Sequence, residues 1–267
     1  MTTGNIEPTA VLEALRAVRD PDLGRDIVSL NFVKDLLVEG GEVSFAIELT
    51  TPACPVKEQM HDQAVAAVSV LDGVTDVKVE MTANVRAAVS AEAGRKPIPG
   101  VKNIIAVGAG KGGVGKTTVA VNLAVSLARS GGKVGIIDGD IYGPNVPIML
   151  GIDSKLESTG KKIIPAEKGG IRVVSMGFLT DDKAPVIWRG PMLHGVVRQF
   201  FQDVQWGDLD VMILDLPPGT GDVQLTLTQK LKISGAVIVT TPQDIALADV
   251  RKGADMFKKV NTPTNNS

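Results

Sequence analysis

Ile104-Ile105-Ala106-Val107-Gly108-Ala109-Gly110-Lys111-Gly112-Gly113-Val114-Gly115-Lys116-Thr117-Thr118-Val119-Ala120-Val121 is a short apolar run that breaks into glycines and resumes as an apolar helical pattern. Within it Gly110, Gly115, Lys116 and Thr117 fit the spacing G-x-x-x-x-G-K-[ST]. The residue types follow from phosphate chemistry. Glycines let backbone N–H groups converge on phosphate oxygens with no Cβ in the way. The helix that follows turns its positive N-terminal end on the same anion. Lys116 brings a mobile charge to the β- and γ-phosphates, and Thr117 offers a hydroxyl to Mg²⁺. Strand, loop and helix in this order predict an α/β domain that cradles the phosphates of a nucleotide.

Working outward, the downstream sequence repeats the theme. Short apolar runs at 104–108, 134–138, 171–176, 211–215 and 235–240 are continuous rather than alternating, as parallel strands covered on both faces are. Helical patterns separate several of them. Residues 117–129 follow the loop. Residues 191–204 carry Met192, Val196, Val197, Phe200 and Phe201. Residues 245–259 carry Ile245, Ala248, Met256 and Phe257. The spacing predicts a doubly wound, mostly parallel sheet. The stretch 153–170 shows no clear period and reads as an irregular excursion.

Upstream the pattern differs. Val11, Leu12, Leu15 and Val18 share a helical face within residues 7–19, and a strand is expected over 31–38. Val43, Phe45, Ile47 and Leu49 alternate with Glu42, Ser44, Ala46 and Glu48, a period of two that predicts a half-buried strand. Val56, Met60, Ala64, Val68 and Leu71 recur at helical spacing, and Val77, Val79 and Met81 alternate again. Helix, strand, strand, helix, strand describes a small α+β domain over residues 1–86. Residues 87–100, with two prolines among glycines, form a partly stiff linker to a nucleotide domain over 101–267.

Composition narrows the class. The 267 residues carry a formal charge of −2 and 3% aromatics, with no dense basic block, so no nucleic-acid partner is expected. No apolar run approaches the ~18–20 residues of a membrane span, and no membrane partner is expected. The first residues lack a secretory pattern, and a single cysteine fits a reducing compartment, which places the protein in the cytoplasm.

Two further segments would join the phosphate loop at the carboxyl ends of parallel strands, where ligands bind in such sheets. Ile136-Ile137-Asp138-Gly139-Asp140 is an apolar strand ending in two acids. Val211-Met212-Ile213-Leu214-Asp215 is four apolar residues ending in one, like the strand whose carboxylate holds a magnesium shell. Either acid alone could be a turn residue or a cap. Beside the phosphate loop, Asp140 and Asp215 read as functional, while Asp138 and Asp222 stay open. Cys54 follows a strand and precedes a helix, with Pro55 suited to the first helical turn. A thiol there is either a reactive nucleophile or metal ligand or a small buried hydrophobe. His61 and His194 lack ligand spacing and read as structural.

The loop Gly110-Lys111-Gly112-Gly113-Val114-Gly115-Lys116-Thr117-Thr118 resembles the deviant Walker A of the MinD/ArsA/nitrogenase-reductase group, whose mark is the extra lysine, here Lys111. The resemblance implies an ATP-dependent homodimer in which Lys111 reaches the partner's nucleotide. Asp138-Gly139-Asp140-Ile141-Tyr142-Gly143-Pro144-Asn145, Asp215-Leu216-Pro217-Pro218-Gly219-Thr220-Gly221-Asp222 and Thr240-Thr241-Pro242-Gln243-Asp244 are similar to the Mrp/ApbC family of iron–sulfur cluster carrier ATPases. Residues 7–85 resemble the SufT/PaaD-like domain that precedes the ATPase in many bacterial members. That likeness implies ATP and Mg²⁺ as ligands, hydrolysis of ATP, and iron–sulfur scaffolds and recipient apoproteins as partners. By position, Gly110 to Thr118 would hold the phosphates. Thr117 and Asp215 would hold Mg²⁺, and Asp140 would orient or activate the attacking water. Lys111 would act across the dimer, and Cys54 would match the small domain's cysteine motif as a thiol ligand.

One departure stands out. The family binds a bridging [4Fe–4S] cluster through a C-x-x-C motif downstream of the nucleotide core, and this sequence has none. The family would also continue past Ser267 into another strand and its base-binding region, so the ATPase domain reads as incomplete at its C-terminus, as a fragment or a natural short form. Two functions are therefore carried forward: an ATP-hydrolysing iron–sulfur carrier, and a non-enzymatic assembly adaptor with a weak or inactive nucleotide site. A partition or septum-positioning ATPase would need a DNA-binding surface or an amphipathic membrane-binding tail, and neither is visible.

Overall fold

The structure is a computed structural model. It describes residues 6–21, 23–85, 97–140, 143–153, 156–159, 162–179, 199–219, 224, 228, 230–259, 262 and 264. The chain divides into two compact units, Met1–Val85 and Arg86–Ser267. The expected linker falls largely outside the described residues, as do Asp222, His194 and residues 191–198 of the expected helix.

In the first unit, α1 (Pro8–Leu15) is followed by β1 (Val33–Glu39), β2 (Glu42–Leu49), α2 (Lys57–Ser69) and β3 (Asp76–Ala83). The sheet order is β1-β2-β3. β1 and β2 are antiparallel and end on the facing pair Glu39 and Glu42, which leaves Gly40-Gly41 as a two-residue turn. Both glycines have positive φ, 57° and 102°, as the tight hairpin turn that suits twisted strands requires. β3 returns parallel to β2, with α2 as the crossover. The alternation in β2 sends Val43, Phe45, Ile47 and Leu49 into one core, where Met60, Ala64 and Val68 of α2 and Val11 and Leu15 of α1 meet them. α1 ends four residues earlier than the periodicity suggested, yet Val18 still reaches that core.

The second unit holds β4 (Val101–Ala109), α3 (Lys116–Arg129), β5 (Val134–Asp138), α4 (Val146–Leu150), β6 (Glu157–Thr159), β7 (Lys162–Ile164), β8 (Ala166–Lys168), β9 (Ile171–Ser175), β10 (Leu209–Asp215), β11 (Gly235–Val239) and α5 (Asp244–Lys259). Its main sheet runs β11-β4-β10-β5-β9-β8, parallel except for the antiparallel β8–β9 edge. The continuous apolar runs follow from burial on both faces. Met212 and Leu214 pack into one core with Phe200, Trp206 and Phe257, while Ile213 packs into the other with Ala120, Ala124, Val134 and Val173.

Two expectations are corrected here. The described residues of 153–170 include regular strands: β6 and β7 form an antiparallel pair, and β8 turns through Gly169-Gly170 onto β9. Strands of three residues are too short to show a period. The inward face of α5 is also displaced. Of the expected residues Phe257 is buried as read, but Ile245 is 76% exposed and Ala248 is exposed, and Ala246 and Gly253 are buried in their place. Helical spacing fits either set, and small Ala and Gly carry too little hydrophobic signal to mark the buried stripe.

Candidate nucleotide site

β4 delivers the glycine loop at its carboxyl end. Gly113 and Gly115 adopt φ of 77° and 88°, a backbone region that other residues rarely enter. Gly115 is the residue before α3, whose N-terminus receives no side-chain cap and has no acid in its first turn. Its N–H groups therefore stay available to an anion. Gly110 serves close packing rather than φ. A Cβ there would lie 2.6 Å from the backbone carbonyl carbon of Asp249 on α5. We predict that Gly110→Ala lowers ATP affinity at least tenfold in a binding titration, because relieving that contact moves the loop or the helix at about 1–3 kcal/mol.

In register, Asp215 of β10 lies between Val107 of β4 and Asp138 of β5. Lys116 begins α3 and folds back onto it, its Nζ 2.6 Å from Asp215 Oδ1 with both side chains buried. The Thr117 hydroxyl donates to Asp215 Oδ2 at 2.7 Å, and Lys116 Nζ lies 3.2 Å from the same hydroxyl oxygen. Three of the expected residues thus form one compact cluster. Burial pushes the Asp215 carboxyl up, while the Lys116 charge and the hydrogen bonds from Lys116 and Thr117 pull it back. Thr117 and Asp215 pair hard oxygen donors, one neutral and one anionic, which is the ligand chemistry Mg²⁺ takes.

Asp140 lies two residues beyond β5. Its backbone N–H donates to Asp138 Oδ1 at 3.1 Å, and its own Oδ1 accepts the Gly143 N–H at 3.2 Å. Its charge contributes to the upward push on Asp215. Lys111 sits partly exposed at the start of the loop, and Gly112 lies against Pro218 in the segment after β10. That segment is tied to β4 by Leu216 N–H to Val107 O and Gly219 N–H to Ala109 O, at 2.9 and 3.0 Å.

The sequence profile of the NUBPL iron-transfer P-loop NTPase family matches residues 100–265, and that of an iron–sulfur cluster assembly protein family matches residues 8–81. An iron–sulfur cluster carrier protein of Synechocystis sp. is 51% identical over 256 residues, covering 94% of this chain and 72% of the relative. The chain belongs to the NUBPL iron-transfer P-loop NTPase family. The chloroplastic Fe–S cluster assembly factor HCF101 of Arabidopsis thaliana is 49% identical over 260 residues, 95% of this chain and 48% of that protein. Among solved structures, a nucleotide-binding protein of Archaeoglobus fulgidus in complex with ADP aligns with a TM-score of 0.55 at 40% identity, covering 62% of this chain and 65% of that one.

Family membership throws the sulfur chemistry into relief. A [4Fe–4S] cluster takes four thiolates. Cys54 is the single cysteine of this sequence, so two copies of the chain would bring two. No group of three or more His, Cys, Asp or Glu able to hold a metal ion occurs among the described residues. The residues present do not fit that cluster. Cys54 lies between β2 and α2 as expected, but Pro55 does not enter the helix. α2 begins at Lys57 with Val56 before it, so Pro55 stands outside the first helical turn. Cys54 is half-buried against the small domain's core, and its carbonyl accepts the Lys57 N–H at 3.2 Å. His61 is partly exposed, its Nδ1 3.0 Å from Asp62 Oδ1.

Sequence reasoning missed Ser175 and left Asp138 open. Asp138 is completely buried, and its Oδ2 accepts the Ser175 hydroxyl at 3.0 Å and the Val146 N–H at 3.2 Å. Burial and the neighbouring Asp215 charge push its carboxyl up to about 7 against those donors. The available signal was positional: Ser175, like Asp138 and Asp215, ends a parallel strand, and β5 and β9 pair Asp138 with Ser175.

Proposed function

We propose that this chain binds and hydrolyses Mg-ATP and serves in the delivery of iron–sulfur clusters to recipient apoproteins. The observation that carries the reading is the buried Lys116–Asp215–Thr117 cluster beneath the glycine loop of a chain in the iron-transfer family. Thr117 and Asp215 would hold Mg²⁺, which when bound shields the phosphate charge and orients the phosphates. The backbone N–H groups of Gly110 to Thr118 and the Lys116 ammonium bind the phosphates. Asp140 orients the attacking water, and Lys111 completes the site of a second copy in a homodimer. Cluster cargo is a substrate here. The family names support it, and the residues of this chain serve the nucleotide step. Cys54, partly exposed on the small domain, would contribute at most one thiol to a shared site.

The test is phosphate release with purified chain, Mg²⁺ and ATP, alongside sedimentation with and without nucleotide. The parent turns ATP over and sediments as a dimer with ATP. Lys111→Ala loses at least about tenfold in turnover and the ATP-dependent dimer, while keeping nucleotide affinity. A folded parent that binds no nucleotide points to the adaptor function instead.

A further inference from the structure

The Asp138 carboxylate is committed in three directions. Oδ1 accepts the backbone N–H of Asp140 at 3.1 Å, and Oδ2 accepts the Val146 N–H at 3.2 Å and the Ser175 hydroxyl at 3.0 Å. The same hydroxyl oxygen accepts the Gly177 N–H at 3.0 Å. One side chain therefore ties down both ends of the segment from Gly139 to Val146 and joins it to the turn after β9. Gly139, beside Asp138, donates its N–H to Asp215 O at 2.9 Å. Placing an acid in a fully buried position is costly unless donors compensate it. Here all three donors come from the loop that carries Asp140 or from the neighbouring strand end.

We propose that Asp138, supported by Ser175, is a positioning residue for ATP hydrolysis: it fixes the loop that presents Asp140 to the reacting phosphate. This rests on the reading of Asp140 as the group that orients the attacking water. The Asp138 oxygens face Ser175 and the two backbone N–H groups. Asp215 is its other charged neighbour, so a rate effect carried by Asp140 is told from one carried by charge at Asp215 by Ser175→Ala, the variant that keeps the charge. A buried acid that merely filled space would alter stability without dependence on Asp140.

Asp138→Asn tests this in the full chain. Asn keeps the volume but turns one acceptor oxygen into an NH₂ that meets a donor. Loop misplacement on the ångström scale costs up to about 100-fold in rate. Phosphate release by D138N is expected to show kcat at least tenfold down with KM for ATP within about threefold of the parent. D138N added to D140A should lower kcat no further than D140A alone. Ser175→Ala, which leaves the charge in place, should move kcat the same way by about threefold. Hydrogen exchange read by mass spectrometry should speed up across residues 139–146 in D138N and stay unchanged across 110–118. Multiplicative losses in the double variant, or a KM that rises in step with the fall in kcat, would overturn the proposal. If the parent hydrolyses no ATP, the proposed function fails on its own account. The exchange measurement then still decides the anchor: faster exchange across 139–146 supports it, and unchanged exchange refutes it.

Discussion

Lys116→Ala should reduce ATP turnover by at least about 100-fold, the scale on which removal of one preorganised electrostatic contact acts on phosphoryl or acyl transfer. Lys116 is the charged member of the loop, and its ammonium is held at the head of α3 by Asp215 and Thr117. Its removal costs the phosphates a cation at the point where charge develops on the leaving oxygens. The fold should survive. The carboxyl left behind already has its pKa raised by burial, so Asp215 can take a proton when its partner goes. Phosphate release and a thermal melt on the same sample separate the two effects. Turnover within twofold of the parent would remove Lys116 from the site.

Asp215→Ala should behave in the opposite sense, with the larger penalty in stability. It leaves a lysine whose side chain is 7% exposed without its anionic partner. Breaking a buried pair from one side costs about 3–5 kcal/mol. For a domain of this size that lowers Tm by roughly 6–20 °C, at ~2–4 °C per kcal/mol. Asp215 also lies at the centre of the strand ends, beside Asp138 and hydrogen-bonded through its backbone to Gly139, so its loss disturbs both acid loops. Mg²⁺-dependent tightening of nucleotide binding should vanish as well, because one of the two oxygen donors is gone. Differential scanning calorimetry with and without Mg-ATP checks both statements. An unchanged Tm would mean that the buried pair is not holding the domain together.

The contrast between the two variants reflects how unevenly the sequence displays its site. The glycine loop was legible because its chemistry demands particular residues at fixed spacing, and Gly113 and Gly115 do take the positive φ that such a loop requires. β2 and the Gly40-Gly41 turn were legible because a period of two and a pair of glycines are local signals. The parallel strands were legible as continuous apolar runs, since both faces are covered. Where the signal was not local, the reading missed. β6 to β8 are three residues each and gain their place only by pairing with a neighbour. α5 shows Ile245 to solvent while Ala246 and Gly253 are buried, and residues that small leave little mark on a hydrophobic pattern. α2 begins two residues after Pro55, an ordinary boundary difference. Asp138 could not be ranked from sequence because its partners, Val146 and Ser175, lie 8 and 37 residues away. Only the sheet register brings Ser175 to it.

The small domain and the nucleotide domain also differ in what their residues can do chemically. Buried charge concentrates around Lys116, Asp138 and Asp215 in the second unit. In the first, Asp20 is the buried charged residue among those described, and its Oδ1 receives the Leu23 N–H at 2.9 Å in a turn. The proposed nucleotide site thus lies in the second unit, and the single thiol in the first.

Calorimetric titration of the folded chain with ATP in the presence of Mg²⁺ tests the central claim most directly. Binding with an affinity on the order of micromolar, one nucleotide per chain, lost in Lys116→Ala, is the predicted result. A folded parent that gives no binding heat at any accessible temperature would contradict it.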